Sequence, residues 1–160
     1  MRPSPANRTW PEADTRIEVS IQEQALTLFK NEERQFSFPV STGAKGIGFS
    51  EGSSQTPTGR FIVRERIGEG APLHTFFKGR RPLGVGSPQS EDAILTRILW
   101  LEGLDEENSN TYRRYIYFHG THEEDLIGRP ASHGCVRLNN GDMLNLFDQV
   151  PLFTRVNIIK

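Results

Sequence analysis

The chain has 160 residues, a formal net charge of −1 and 35% apolar residues. That length is about one domain's worth and enough to bury a core; a charge so near zero excludes the basic stripe that a nucleic-acid surface needs. No run approaches the ~18 apolar residues of a membrane span, and a single cysteine excludes an intrachain disulfide.

Residues 1–14 carry three prolines and little apolar pattern, which predicts an irregular arm. Its first eleven residues hold no apolar core and do not read as a secretory signal. From Arg16 to Gln22 apolar and polar residues alternate, as in a half-buried strand. Ala25 to Lys30 and Glu33 to Thr42 repeat the pattern after short polar turns, giving a three-stranded meander. Gly43 to Ser54 is glycine-rich and predicts a loop. Gly46 and Gly48 there do not complete a dinucleotide fingerprint, because Glu51 stands where the third glycine belongs. Thr56-Pro57-Thr58-Gly59 sets a turn before a strand running to about Ile67. Residues 68–92, rich in Gly and Pro, read as one long connection on the rim of a cleft. Ile94 to Leu101 and Tyr112 to Phe118 predict two further strands, the second delivering His119 at its end. Asn139 or Asn140 is placed to cap a short helix over 142–150, with Leu144, Phe147 and Val150 on its apolar face. Phe153 to Ile159 closes the chain as a strand. The sum is a mainly β, antiparallel, barrel-like or sandwich-like domain with one or two short helices over residues 15–160.

The chemistry concentrates between His119 and Arg137. The only cysteine, Cys135, is preceded by Ser132-His133-Gly134, with His119-Gly120-Thr121 upstream. A thiol is a weak nucleophile until an imidazole helps it ionise. One cysteine with histidines elsewhere is therefore a candidate nucleophile. Gly134 permits a sharp turn that presents the thiol, and the amides of His133, Gly134 and Cys135 are candidate oxyanion donors. Arg137, two residues on in an extended segment, faces the same side as Cys135. Its guanidinium is placed to favour a thiolate or to pair with a substrate carboxylate, the plain alternative being a surface ion pair.

Together, Ser132-His133-Gly134-Cys135, His119-Gly120-Thr121 and the Thr56-Pro57-Thr58-Gly59-Arg60-Phe61 run closely resemble the L,D-transpeptidase (YkuD-type) catalytic domain. The resemblance implies that Cys135 attacks the peptide bond before the terminal D-alanine of a peptidoglycan tetrapeptide stem. A thioester then forms and an amine on a second stem captures it. It implies that His119 moves the proton, that the Gly120 carbonyl orients its ring, and that His133 and Gly134 shape the site. Ser132 and Arg137 are then expected on the substrate side, although the family's commonest motif carries Asn where Arg137 stands. Carbapenem-type β-lactams are the implied covalent inhibitors, the cell envelope or periplasm is the implied place of action, and no cofactor or metal is implied.

Three other readings compete. Water in place of the amine gives an L,D-carboxypeptidase or a wall-protein amidase. An idle thiol leaves a wall-binding domain. His119, His122, His133 and Cys135 together would make a legal tetrahedral zinc site, although their spacing matches no common zinc module. His74 and His122 otherwise read as rim and loop residues, and Glu123-Glu124-Asp125 as a solvated turn.

Overall fold

A computed structural model describes residues 14–86 and 93–160; the expected arm over 1–14 lies outside them apart from Asp14. Among the described residues, ten strands form a single sheet with a barrel-like closure, accompanied by one α-helix. In chain order the first strands are β1 (Thr15–Ser20), β2 (Ala25–Lys30), β3 (Glu33–Ser41) and β4 (Gly59–Ile67). There follow β5 (Thr75–Lys78), β6 (Arg81–Val85), β7 (Ile94–Gly103), β8 (Tyr117–Gly120) and β9 (Val136–Leu138). Helix α1 (Asn140–Gln149) and β10 (Arg155–Ile159) complete the chain. The pairing order β4-β10-β1-β2-β3-β9-β8-β7 returns to β4 through a β4–β7 ladder, so eight strands close on themselves. The β5–β6 hairpin hangs from β7.

The meander forms for the reason its sequence suggests. Period-two alternation aims Ile17 and Val19, Leu26 and Leu28, and Phe38 and Val40 inward, all buried. Val156 and Ile158 of β10 and Phe61 and Val63 of β4 continue this lining. Helix α1 adds Met143, Leu146 and Phe147 to the same core, and Val150 just after it does likewise.

The structure departs from the sequence expectation in several places. Two of the ladders, β1–β10 and β8–β9, are parallel within the otherwise antiparallel sheet. The connection over 68–92 contains the β5–β6 hairpin, whose shortness leaves no long alternation to read. Residues 112–116 form a turn and not a strand, with β8 beginning only at Tyr117. That turn is held by Tyr112, which stacks on Trp100 at 4.1 Å and accepts its indole N–H at 3.0 Å through its carbonyl. The helix starts at Asn140 and buries Met143 and Leu146, while Leu144 stays half-buried. Asn139 is the N-cap residue but makes no side-chain capping bond; Glu124 Oε2 instead accepts the Asn140 amide N–H at 2.9 Å. Among the described residues, no helix is long and apolar enough to cross a membrane.

Candidate active site

The parallel β8–β9 ladder assembles the site. Phe118 pairs with Val136 and His119 with Arg137. Phe118, Val136 and Leu138 therefore point into the barrel core, and His119 and Arg137 share the outer face. Cys135 lies one step before β9, level with Tyr117 and on that same outer face. His119 and Cys135 are thus diagonal neighbours, within reach of one another across the ladder. Ile98 and Trp100 of β7 pair with His119 and Tyr117, and Cys135 packs against an apolar cluster of Phe77, Ile98, Trp100 and Tyr117.

An open cleft of about 350 Å³ exposes this face, lined by His119, Cys135, His133, Arg80, Arg114 and Tyr117 among others. The Tyr117 amide N–H donates to Cys135 Sγ at 3.4 Å, and the thiol donates to the Tyr115 carbonyl at 3.2 Å. His119 is fully buried, with Nδ1 2.5 Å from the Gly120 carbonyl oxygen. A carbonyl can only accept, so Nδ1 carries the proton and Nε2 is the basic nitrogen. Gly120 stands where a triad's carboxylate would.

The turn bearing the thiol is held from three sides. Ser132 Oγ donates to the Cys135 carbonyl at 2.5 Å and accepts the Gly134 amide at 3.1 Å. Thr56 Oγ1 donates to the Gly134 carbonyl at 2.8 Å, which gives the Thr56-Pro57 motif its place in the site. Gly134 has φ +119, and a Cβ there would also lie 3.1 Å from the Gln55 carbonyl oxygen, so no larger residue fits without strain.

Each residue singled out in the sequence can now be located. His119, Cys135 and His133 line one cleft, His133 from an exposed position. Gly120 meets the His119 ring. Gly134 shapes the turn, but its amide is committed to Ser132, which leaves the amides of His133 and Cys135 as oxyanion candidates. Ser132 is buried, its hydroxyl tied within the loop. Arg137 departs from the surface ion-pair expectation. At 1% exposure it is no surface partner, nor does it line the cleft. On the face it shares with His119, it lies 3.5 Å from Glu123 Oε1 and from the Ala131 carbonyl. Glu123 is thereby a partner of a buried cation and not simply a solvated turn residue. His122 does not line the cleft, and among the described residues no three His, Cys, Asp or Glu side chains are gathered as a metal would require.

The sequence reading missed two cations. Arg114 lines the cleft and donates to the Gln55 carbonyl at 2.6 Å, holding the 48–55 loop against the thiol turn. Burial pushes its guanidinium down, with Cys135 and Glu51 acting in the opposite sense. Arg80, at the tip of the β5–β6 hairpin, lies 5.0 Å over both the Trp100 and Tyr115 rings and donates to the Tyr117 hydroxyl at 3.3 Å. Burial pushes the Tyr117 phenol up, against the pull of Arg80. The run Tyr112-Arg113-Arg114-Tyr115-Ile116-Tyr117 carried the signal, basic residues interleaved with aromatics, but a strand was the simpler reading of it.

The L,D-transpeptidase catalytic-domain family profile, YkuD, matches residues 14–158. Bacillus subtilis YqjB, a protein named for that activity, is 42% identical over 145 residues, covering 91% of this chain and 71% of its own length. Bacillus subtilis YkuD is 27% identical over 143 residues; the match covers 89% of this chain and 64% of that protein. Among solved structures, an L,D-transpeptidase from Mycobacterium smegmatis superposes with a TM-score of 0.61 at 16% identity, over 92% of this chain and 59% of its own. The L,D-transpeptidase LdtMt1 in complex with imipenem superposes with a TM-score of 0.59 at 20% identity, over 91% and 59% respectively.

Proposed function

The chain belongs to the L,D-transpeptidase catalytic-domain family, and from that membership we propose that it is a cysteine acyltransferase acting on peptidoglycan stem peptides in the cell envelope. The observation that carries this reading is the diagonal placement of His119 and Cys135 on one sheet face, in one cleft, with the His119 tautomer set by the Gly120 carbonyl.

In the proposed sequence, His119 Nε2 takes the thiol proton, and the Tyr117 amide and the Arg114 guanidinium favour the resulting thiolate. The sulfur attacks the carbonyl between the L-centre of the stem's diamino acid and the terminal D-alanine. The oxyanion that forms is met by the amides of Cys135 and His133, and each such donor is worth ~2.7–4 kcal/mol of transition-state stabilisation. Collapse breaks the C–N bond, the His119 imidazolium protonates the departing D-alanine, and a thioester on Cys135 remains. An acceptor amine then attacks the thioester while His119 accepts its proton, which restores the thiolate and completes the cross-link. A carbapenem offers the same nucleophile a strained amide, so Cys135 is the expected site of acylation; the imipenem complex of a protein with this fold supports that expectation.

Incubation with purified muropeptides followed by mass analysis tests the reading. Cross-linked dimers with free D-alanine are expected. Tripeptides without dimers would replace transpeptidation by hydrolysis, and unchanged tetrapeptides would overturn acyl transfer altogether. One carbapenem adduct per chain, mapped to Cys135, is the parallel expectation.

A further inference from the structure

A catalytic carboxylate can be turned by its own rotamer, but the Gly120 carbonyl that orients His119 can be turned only by moving the backbone. Whatever fixes the Gly120–Thr121 backbone therefore fixes the direction of the basic nitrogen. Gly120 is paired with Leu95 and Leu138 in the ladders on either side, and a side chain holds the next carbonyl along, that of Thr121. Asn140, the first residue of α1, is 2% exposed, and its Nδ2 donates to the Thr121 carbonyl at 2.6 Å. Its Oδ1 accepts the Thr96 hydroxyl at 2.6 Å, and its own amide N–H is held by Glu124 Oε2 at 2.9 Å. The amide orientation is determined, because a flipped Asn140 would set two oxygens against each other at Thr121.

The opposite side of this contact is equally constrained. A Cβ on Gly120 would lie 2.2 Å from Asn140 Oδ1 and 2.9 Å from the Leu95 carbonyl oxygen, so helix and strand approach here as closely as a bare Cα allows. Thr96 occupies a bulge of β7: Leu95 pairs with Gly120 and Ile98 with His119, leaving Thr96 and Arg97 between them. It holds φ +74, a backbone conformation that β-branched residues avoid, and it is fully buried. Strain of this kind persists only where the surroundings over-determine it. Here it aims the Thr96 hydroxyl at Asn140, while that oxygen also accepts the His74 amide at 3.3 Å.

We propose that Asn140 is a positioning residue for His119, acting through the Gly120–Thr121 backbone, and that Thr96 locks Asn140 in the productive orientation. The proposal rests on the reading of His119 as the proton carrier. It gives the bulge, the helix start and the acidic Glu124 a shared role, that of holding a backbone carbonyl as firmly as a side-chain carboxylate is held elsewhere.

The test combines a spectroscopic readout with kinetics. Long-range proton–nitrogen NMR on ¹⁵N-histidine protein reports which nitrogen of His119 carries the proton, and imipenem ring opening reports acylation. Asn140→Ala and Thr96→Val are expected to move His119 from the Nδ1–H tautomer to a mixture. Both should slow acylation at least about tenfold, short of the ~100-fold typical of losing a general base. Thr96→Ser, which keeps the hydroxyl, should retain both the tautomer and the rate. Thr96→Val preserves shape and β-branching, so it decides the matter should Asn140→Ala fail to fold. Variants that melt earlier yet keep the tautomer and rate would overturn the proposal and leave a purely structural contact. If His119→Ala acylates as fast as the parent protein, the base assignment itself fails and this proposal with it; a normal His119→Ala defect beside unchanged Asn140 and Thr96 variants overturns the proposal alone.

Discussion

The two sides of the barrel follow different rules. Across β10, β1, β2 and β3, one face is core and the other meets water; charges on the outer face pair where solvent screens them, as Arg16 does with Glu32. Across β7, β8 and β9 nearly every residue is buried on both faces. These strands carry Thr96, Arg97, His119 and Arg137, all buried. A buried polar group needs a partner or it destabilises the fold, so this side requires specific companions such as Thr96 with Asn140 and Arg137 with Glu123. The proposed pair, His119 and Cys135, sits on this side, where the cover over the sheet's second face opens into the cleft. That arrangement makes an imidazole's orientation and a thiol's surroundings matters of structure and not of solvent.

The most severe test of this contrast truncates one residue on each side. Cys135→Ala should abolish thioester formation with the melting temperature little changed, because the thiol is only partly buried and its turn is held by Ser132 and Thr56. Cys135→Ser should be nearly as inactive. Leu28→Ala, in the core of the meander, should destabilise by about 2–5 kcal/mol through lost burial and a cavity. The part of that variant that remains folded should acylate with imipenem at the parent rate. Acylation in Cys135→Ala, or a rate loss in folded Leu28→Ala, would erase the division between the two sides.

The same division explains what was legible in the sequence. Ile17, Val19, Leu26 and Leu28 announce their strands because one face meets water, and alternation is a signal that solvent writes. Buried on both faces, β8 has no alternation, so Tyr112 to Phe118 read as one strand although a stacked Tyr112 holds a turn ahead of it. Cys135, His119, His133 and Gly134 were legible because their residue types carry chemistry at that spacing. The surface-pair expectation for Arg137 fails for a plain cause. Parity along an extended segment gives the face on which a side chain lies, and Arg137 does lie on the face of Cys135. It cannot reveal that the 121–132 segment covers that face at Arg137 and leaves it open at Cys135, since the cover comes from loop contacts such as Ser41 Oγ with the Arg129 carbonyl.

The two arginines repeat the contrast at a smaller scale. Arg137→Ala should act on stability, by about 3 kcal/mol, because it breaks a buried pair and opens a void; acylation by folded protein should change little. Arg114→Gln should act on rate, slowing acylation on the order of tenfold, the effect of removing one favourable charge beside a thiolate. Arg114→Lys keeps the charge but not the planar hold on the 48–55 loop, so it should recover most of that rate. Melting curves and imipenem kinetics on the three variants check both halves. A rate defect in Arg137→Ala without destabilisation would place Arg137 on the substrate side.

The smallest expected effect comes from a charge pair exposed to solvent. Asp105, in the turn after β7, accepts the Arg60 amide N–H at 2.8 Å and pairs with the Arg60 guanidinium at 2.6 Å. Burial alone would raise its carboxyl, but the Arg60 amide and guanidinium outweigh it and hold the group below the usual carboxylate range. A carboxyl that is more acidic in the folded than in the unfolded chain stabilises the fold above its unfolded value of about 3.9, and that contribution is lost as the pH falls through the lower folded value. With Arg60 two-thirds exposed, solvent screening keeps the pair to about 0.5–1 kcal/mol. Asp105→Asn should therefore melt slightly earlier than the parent at neutral pH, the gap should begin to shrink below about pH 4 and close as the pH falls through the folded value, and acylation should be untouched throughout. A gap that persists unchanged in acid would mean that Asp105 works through its hydrogen bonds and not its charge. A gap as large as that of Arg137→Ala would mean that this pair is held as firmly as the buried Arg137, and that the two sides of the barrel differ less in how they manage charge than their burial implies.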